Sequence, residues 1–239
     1  SSGLAANISY TWAKSLGNQE SGFQERWWAG PLQDVNSLDF EADVIGFNDR
    51  THVFKGYVAY ELPFGQGRKW MDQGGVLDAL FGGWQVSVIF KYMSGLPLGI
   101  TSNNWYAGWF YPIYVNADPN GNYDTQFSGN FDASNPTAAG NQYFDPNNYS
   151  NPAYGQFGTG PGRFEQQRGF GFSGEDLGFM KNFAFGDRYR LQIRFDLINV
   201  FNRHYYSNPV TDIGSDQFGY VISTTGQPRQ GQLGIRFEF

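Results

Sequence analysis

Cysteine is absent from this 239-residue chain, so it can build no disulfide framework and no thiolate chemistry, and that absence says little about compartment. Long apolar runs are missing too. No segment approaches the eighteen or so consecutive apolar residues of a membrane helix, and mean hydropathy is negative, which excludes a helical membrane protein. Charge is sparse at 16% of residues, with 16 Lys plus Arg against 22 Asp plus Glu for a net charge of -6. An acidic chain of this kind offers no nucleic-acid surface. Histidine is limited to His52 and His204, neither with a second His or a carboxylate at metal-ligand or triad-like spacing. Gly158-Thr-Gly-Pro-Gly162 lacks the Lys-Ser/Thr that completes a phosphate loop. No enzyme is expected.

What the chain does have is rings and turns. Aromatics make up 19% of it, as 23 Phe, 15 Tyr and 7 Trp, alongside 32 Gly. Strands dressed in rings and separated by Gly, Asn and Asp turns predict an all-β protein, and a transmembrane barrel conceals its apolar signal because only alternate residues face lipid. Six strands are long enough to cross a bilayer, at about nine to eleven tilted residues each. Near 3–15, Leu4, Ala6, Ile8, Tyr10 and Trp12 share one face. Near 52–62 the corresponding set is Phe54, Gly56, Val58, Tyr60 and Leu62, and near 83–93 it is Trp84, Val86, Val88, Phe90 and Tyr92. Near 174–185, Leu177, Phe179, Phe183 and Phe185 share a face with Lys181, whose charge is expected to snorkel to headgroups. Near 188–201, Tyr189, Leu191, Ile193, Phe195 and Leu197 alternate with Arg190, Gln192, Arg194 and Asp196. The last strand puts Leu233, Ile235, Phe237 and Phe239 on one face.

The connections alternate in length. Gly186-Asp187 suits a tight hairpin, and about twenty residues join the second strand to the third. By contrast 16–51, 94–173 and 202–228 far exceed ordinary hairpin loops. Bacterial barrels pair short periplasmic turns with long extracellular loops, so the carboxy terminus is expected in the periplasm and the three long loops outside. Residues 1–239 are expected to form the carboxy-terminal part of one barrel domain. The amino terminus is expected to enter directly into a strand, as the latter part of a longer chain would, and six strands cannot close a wall, because open edges in lipid leave backbone groups unpaired. The missing strands are expected from an upstream part of the same protein or from another chain.

Two loop features invite a ligand. Trp27 and Trp28 in the first long loop, and Trp105, Tyr106, Trp109, Phe110, Tyr111 and Tyr114 in the second, could stack on an oligosaccharide or anchor a peptide. The preferred reading is that a loop of this length packs its own rings into a small core. Asp118, Asn120, Asn122 and Asp124 carry side-chain oxygens at alternate positions, as at the start of a calcium loop. However, the glycine falls at the fourth position, the distal Glu is missing, and only Asp132 adds a nearby carboxylate. Asp-Pro-Asn-Gly is good turn chemistry, and the turn is preferred, with no cofactor expected.

The closing alternation through Leu233, Ile235, Phe237 and a terminal Phe239 resembles the signal read by the barrel-assembly machinery. Six further motifs occur in order: Asn48-Asp-Arg-Thr-His-Val-Phe54, Tyr60-Glu-Leu-Pro-Phe-Gly65, Gly83-Trp-Gln85 with Ser94-Gly-Leu-Pro97, Phe179-Met-Lys-Asn-Phe183, Arg190-Leu-Gln-Ile-Arg-Phe195 with Asn199-Val-Phe-Asn202, and Pro228-Arg-Gln230. Together they resemble the carboxy-terminal third of TonB-dependent outer-membrane receptors, closest to the Oar-like type that carries a carboxypeptidase-regulatory-like domain. The resemblance covers nearly the whole chain except about 99–165. It implies a 22-stranded barrel occluded by a plug, solute import driven by the TonB complex, and a bacterial outer-membrane location among lipid. The inward charges Lys55, Glu61, Lys91, Arg190, Arg194, Asp196, Arg236 and Glu238 would then guide solute or pair with one another and with a plug. The rival readings are a structural or adhesive outer-membrane barrel that presents its loops to partner proteins, and a soluble carbohydrate-binding β-sandwich.

Overall fold

Alternating apolar residues, repeated in six segments, make one antiparallel sheet. The computed structural model describes residues 3–16, 48–100, 102–103, 114–186 and 188–239. Its wall consists of β1 (Leu4–Trp12), β2 (His52–Glu61), β3 (Trp84–Met93), β4 (Phe172–Phe185), β5 (Tyr189–Ile198) and β6 (Gln230–Glu238). These lie side by side in chain order, each antiparallel to the next. Ten residues such as β3, at about 3.3 Å each and tilted about 40°, rise roughly 25 Å, the height of a barrel's lipid-facing band. The sheet is open, with β1 and β6 as its edges.

Register decides whether the separate alternations add up. Leu4, Tyr60, Val86, Phe179, Phe195 and Leu233 stand beside one another in a single row across all six strands. Two residues further along, Ala6, Val58, Val88, Leu177, Leu197 and Gly231 form a second row on the same face. A slip of one residue in any strand would have turned its apolar set to the other side. The opposite face carries Ala5, Ala59, Ser87, Gly178, Asp196 and Gln232 in register. One face is therefore predominantly apolar, and the other mixes small and charged residues with Tyr57, Ile89, Met93 and Phe172. Rings gather at both ends of the apolar face. Tyr10, Phe54 and Tyr92 mark one end, and Phe183, Phe185, Tyr189, Phe237 and Phe239 the other. Such girdles flank the lipid band of a membrane barrel.

Two charges break the apolar face, and each is met by partners in place. Lys181, opposite Trp84, is only 4% exposed. Its ammonium donates to the backbone oxygens of Asp78 and Gly82 and lies over the rings of Trp84 and Phe183. It does not snorkel to headgroups as the sequence suggested, because a helix, α1 (Val76–Phe81), brings carbonyls to it. At the other end Glu175, opposite Phe90, accepts from Tyr92 Oη at 2.7 Å and from both Nε and Nη2 of Arg203 at 2.8 and 2.9 Å.

Beyond β3 and β5 the chain builds a second body. Short ladders join Pro97–Leu98 to Phe164–Arg168, Asn116–Ala117 to Tyr149–Ser150, and Tyr205–Tyr206 to Thr224–Thr225. The hydrophobic core of the described residues lies here: Leu98, Ile100, Val115, Tyr143, Phe144, Tyr149, Phe164, Phe218 and Val221. Rings meet edge to face, Phe144 with Phe218 at 5.3 Å and Tyr149 with Phe164 at 5.3 Å, the arrangement that aromatic quadrupoles favour. Buried Asn141 donates to the oxygens of Asp132 and Asn135 and accepts from the Asp132 N–H, so a polar side chain closes the turn beneath this core. Burial raises the Tyr149 phenol well above its ordinary range, and its hydroxyl is held by Gln167.

Candidate functional site

Several of the sequence motifs lie at corners where the loops leave the wall, whereas Phe179–Phe183 and Arg190–Phe195 lie within β4 and β5 themselves. Asp49, 2% exposed, accepts from the Ser15 N–H at 2.5 Å and from Arg168 Nη2 at 2.7 Å. Arg168 Nη1 also donates to the backbone oxygens of Asp49 and Gly95, and Arg50 Nη1 donates to Ser94 O at 2.7 Å. One guanidinium thus ties the end of β1, the start of β2 and both ends of the long segment between β3 and β4. Burial raises the Asp49 carboxyl, but the hydrogen bonds from Ser15 and Arg168 outweigh it and hold the group below the usual carboxylate range.

A second corner is built from asparagines. Asn199 and Asn202 adopt left-handed φ of 53° and 51°, a region that Asn tolerates better than other side chains do. Asn199 Nδ2 donates to Arg203 O and Gln227 O, its Oδ1 accepts from the Arg203 N–H, and Asn202 Oδ1 accepts from the Arg229 N–H at 2.9 Å. The motifs Asn199-Val-Phe-Asn202 and Pro228-Arg-Gln230 are therefore two halves of one joint. Both corners are structural and bring no nucleophile to a base.

The concave feature at this end lies on the polar face. A cavity of about 640 Å³ opens between the upper wall and the loops, lined by Ile89, Lys91, Phe172, Asp176, Tyr205 and Tyr206 among others. Phe172 stacks on Tyr205 at 5.2 Å, and Tyr206 packs against Phe170 at 5.3 Å and Phe127 at 4.8 Å. Tyr205 Oη donates to Ser173 O at 2.5 Å, which fixes the ring against β4. Gly174 leaves the space that the Phe172 ring fills, since a Cβ there would lie 2.9 Å from it. Mixed rings and a few polar groups suit a solute with an apolar or ring-bearing part.

Charges continue down the same face. Arg194 pairs with Asp196 at 2.7 Å, Arg236 with Glu238 at 2.8 Å and Arg68 with Glu61 at 2.7 Å. Lys55 and Lys91 stand directly opposite each other with no ion pair among the described residues, an unfavourable like-charge placement near the cavity.

The residues singled out from sequence fall in different places. Trp27, Trp28, Trp105, Tyr106, Trp109 and Tyr111 lie outside the described residues. Asp118 Oδ1 accepts from the Asn120 N–H and Asn122 Oδ1 from the Asp124 N–H, each at 2.9 Å, so these two oxygens close successive Asx turns. No group of three or more His, Asp or Glu side chains gathers among the described residues. Leu233, Ile235 and Phe237 stand on the apolar face of β6, at the edge of the sheet, and Phe239 follows the strand with its ring stacked on Phe237. His52 Nδ1 meets Tyr10 Oη at 2.8 Å, with the two rings near parallel, and His204 lies edge-on to Tyr206. Phe170, Phe172, Tyr205 and Tyr206 were not anticipated. The available signal was Phe172 itself, whose even number places it out of phase with Leu177 and Phe179 and therefore on the polar face.

A family model described as an outer membrane beta barrel domain matches residues 1–232. No curated protein and no solved structure matches the chain.

Proposed function

Because this chain belongs to the outer membrane beta barrel domain family, we propose that it is the closing section of a TonB-dependent receptor of the Oar-like type, which captures a solute at its outer mouth and imports it with inner-membrane energy. In this reading the apolar face meets outer-membrane lipid, and the long-loop end faces outward with the carboxy terminus in the periplasm. Further strands, 22 in all, complete the wall from β1 round to β6, and a plug fills the polar interior. The observation that carries the reading is the cavity between Phe172, Tyr205, Tyr206 and Lys91. It lies on the inner face directly below the folded loops, on the path that an imported solute must take. Its rings and sparse polar groups fit an oligosaccharide or a peptide, which stack apolar faces and hydrogen-bond at their rims. No catalytic step and no cofactor belong to this reading.

The test is made on the native protein in outer membranes. A heat-modifiable band several times larger than this chain, which cross-links to the periplasmic domain of TonB, is expected. A folded barrel that forms no such cross-link, in cells where deleting the TonB complex changes nothing, would instead support a structural or adhesive barrel presenting its loops to partners.

A further inference from the structure

The turn between β2 and β3 carries apolar residues that the wall does not bury. In α1, Val76, Leu77, Leu80 and Phe81 share one side and are 76, 44, 58 and 48% exposed. Asp78 and Ala79 occupy the other side, towards a polar cavity at the short-turn end. A short helix free in water would rotate such a face inward. This one cannot, because it is pinned at several points. Trp84 Nε1 donates to Leu80 O at 2.8 Å, Lys181 donates to the carbonyls of Asp78 and Gly82, and Asp78 Oδ1 accepts from the Gln66 N–H at 2.7 Å.

Trp84 and Lys181 belong to the apolar face of the sheet, so their bonds hold the helix from that side, while Asp78 and Ala79 border the cavity that polar-face residues Arg190 and Arg236 also line. It stands at the level of the lower girdle, beside Phe183, whose ring shares the Lys181 ammonium. We propose that α1 is an interfacial anchor, laying Val76, Leu77, Leu80 and Phe81 into the boundary between headgroups and acyl chains of the phospholipid leaflet at the short-turn end. The proposal rests on the barrel reading. The occupant is lipid because the helix is bonded to Trp84 and Lys181 of the lipid-facing side, and its apolar residues are on the side opposite Asp78 and Ala79, which border the polar cavity where a plug or solute would lie. Trp70, 50% exposed with the Lys69 ammonium 5.0 Å from its ring centroid, supplies the amphipathic ring and cation that suit headgroup level. The anchor also accounts for the buried lysine: its carbonyls satisfy the one ammonium on the outer face of the described strands, which would otherwise meet lipid unpaired.

Spin labels at Leu77→Cys, Phe81→Cys and, on the wall, Ile235→Cys in the complete protein, reconstituted in phosphatidylethanolamine/phosphatidylglycerol vesicles, provide the test. Heat-modifiable mobility verifies that each labelled protein is folded. Oxygen should relax the labels at 77 and 81 at least severalfold more than a water-soluble nickel chelate does, at a shallower depth than the label at 235. Nickel access at 77 and 81 with the wall label still in lipid would overturn the anchor alone. Labels at 77 and 81 shielded from both reagents would overturn it in favour of a protein partner. Nickel access at 235 would overturn the barrel reading together with the anchor.

Discussion

The wall and the loop body solve opposite problems with the same residue types. In the wall, Leu233, Ile235 and Phe237 are 66, 68 and 55% exposed, and no apolar side chain of β1 to β6 is fully buried. In the loop body, Val115, Phe144 and Val221 are wholly buried. A chain that solved only one of these problems would put its apolar residues in one kind of place. The difference teaches that two solvents act on this molecule. Lipid takes the apolar face of the sheet, where backbone pairing supplies the order. Water surrounds the loops, which must exclude it from a core of their own.

The strongest way to break this comparison is to hollow the loop core. Phe144→Ala removes a fully buried ring that touches Tyr149 and Phe218 and should cost about 3–5 kcal/mol. The loss should be confined to the loops: hydrogen exchange accelerates across 115–149 while heat-modifiable migration of the barrel is unchanged. Equal loss in both regions would mean that they fold as one unit.

Next comes a charge on the outer face. Ile235→Arg should destabilise the protein by about 2–4 kcal/mol in lipid vesicles, read by urea titration of folding. At so exposed a position on a water-facing sheet the same change would stay within about 0.5 kcal/mol, so a small value would dismiss lipid as the solvent of the wall.

The Asp49–Arg168 corner sharpens the boundary between the two regions. A carboxyl held below its usual value in the folded protein stabilises fully above its unfolded value near pH 4, and that contribution is lost as pH falls through the lower folded value. Acidification below pH 4 should therefore release the loops from the rim before the wall unfolds, seen as protease cleavage near 95 and 168. Asp49→Asn should cost about 1–3 kcal/mol at neutral pH and flatten this acid response; a response that persists in the variant would place its origin elsewhere.

How legible each region was from sequence follows from the same contrast. The wall was readable because lipid imposes a period of two on every strand, so the six apolar sets found by alternation meet in register. Its exceptions were less readable: Lys181 declared its charge but not its partners, because Val76-Leu-Asp-Ala-Leu-Phe81 is too short to show a helical period. The loop core had no period to read. Phe144 and Val221 meet through turns set by Asn141 and Gly219, and nothing local in the sequence links residue 144 to 218. The motif Asn48-Asp-Arg could be recognised without its reason, since Arg168 lies more than a hundred residues away.

The smallest effect concerns the asparagine joint. Asn202 combines a left-handed backbone with a hydrogen bond from the Arg229 N–H, and the two contributions can be separated. Asn202→Gly relaxes the backbone and loses only the hydrogen bond, about 0.5–1.5 kcal/mol. Asn202→Ala loses the bond and adds the left-handed penalty of about 1–2 kcal/mol. The alanine variant should therefore be the less stable by about 1 kcal/mol in the same urea titration. If the two variants are equal, the left-handed turn relaxes on substitution, and the return of the chain into β6 is set by backbone pairing along β5 and not by the asparagine corner.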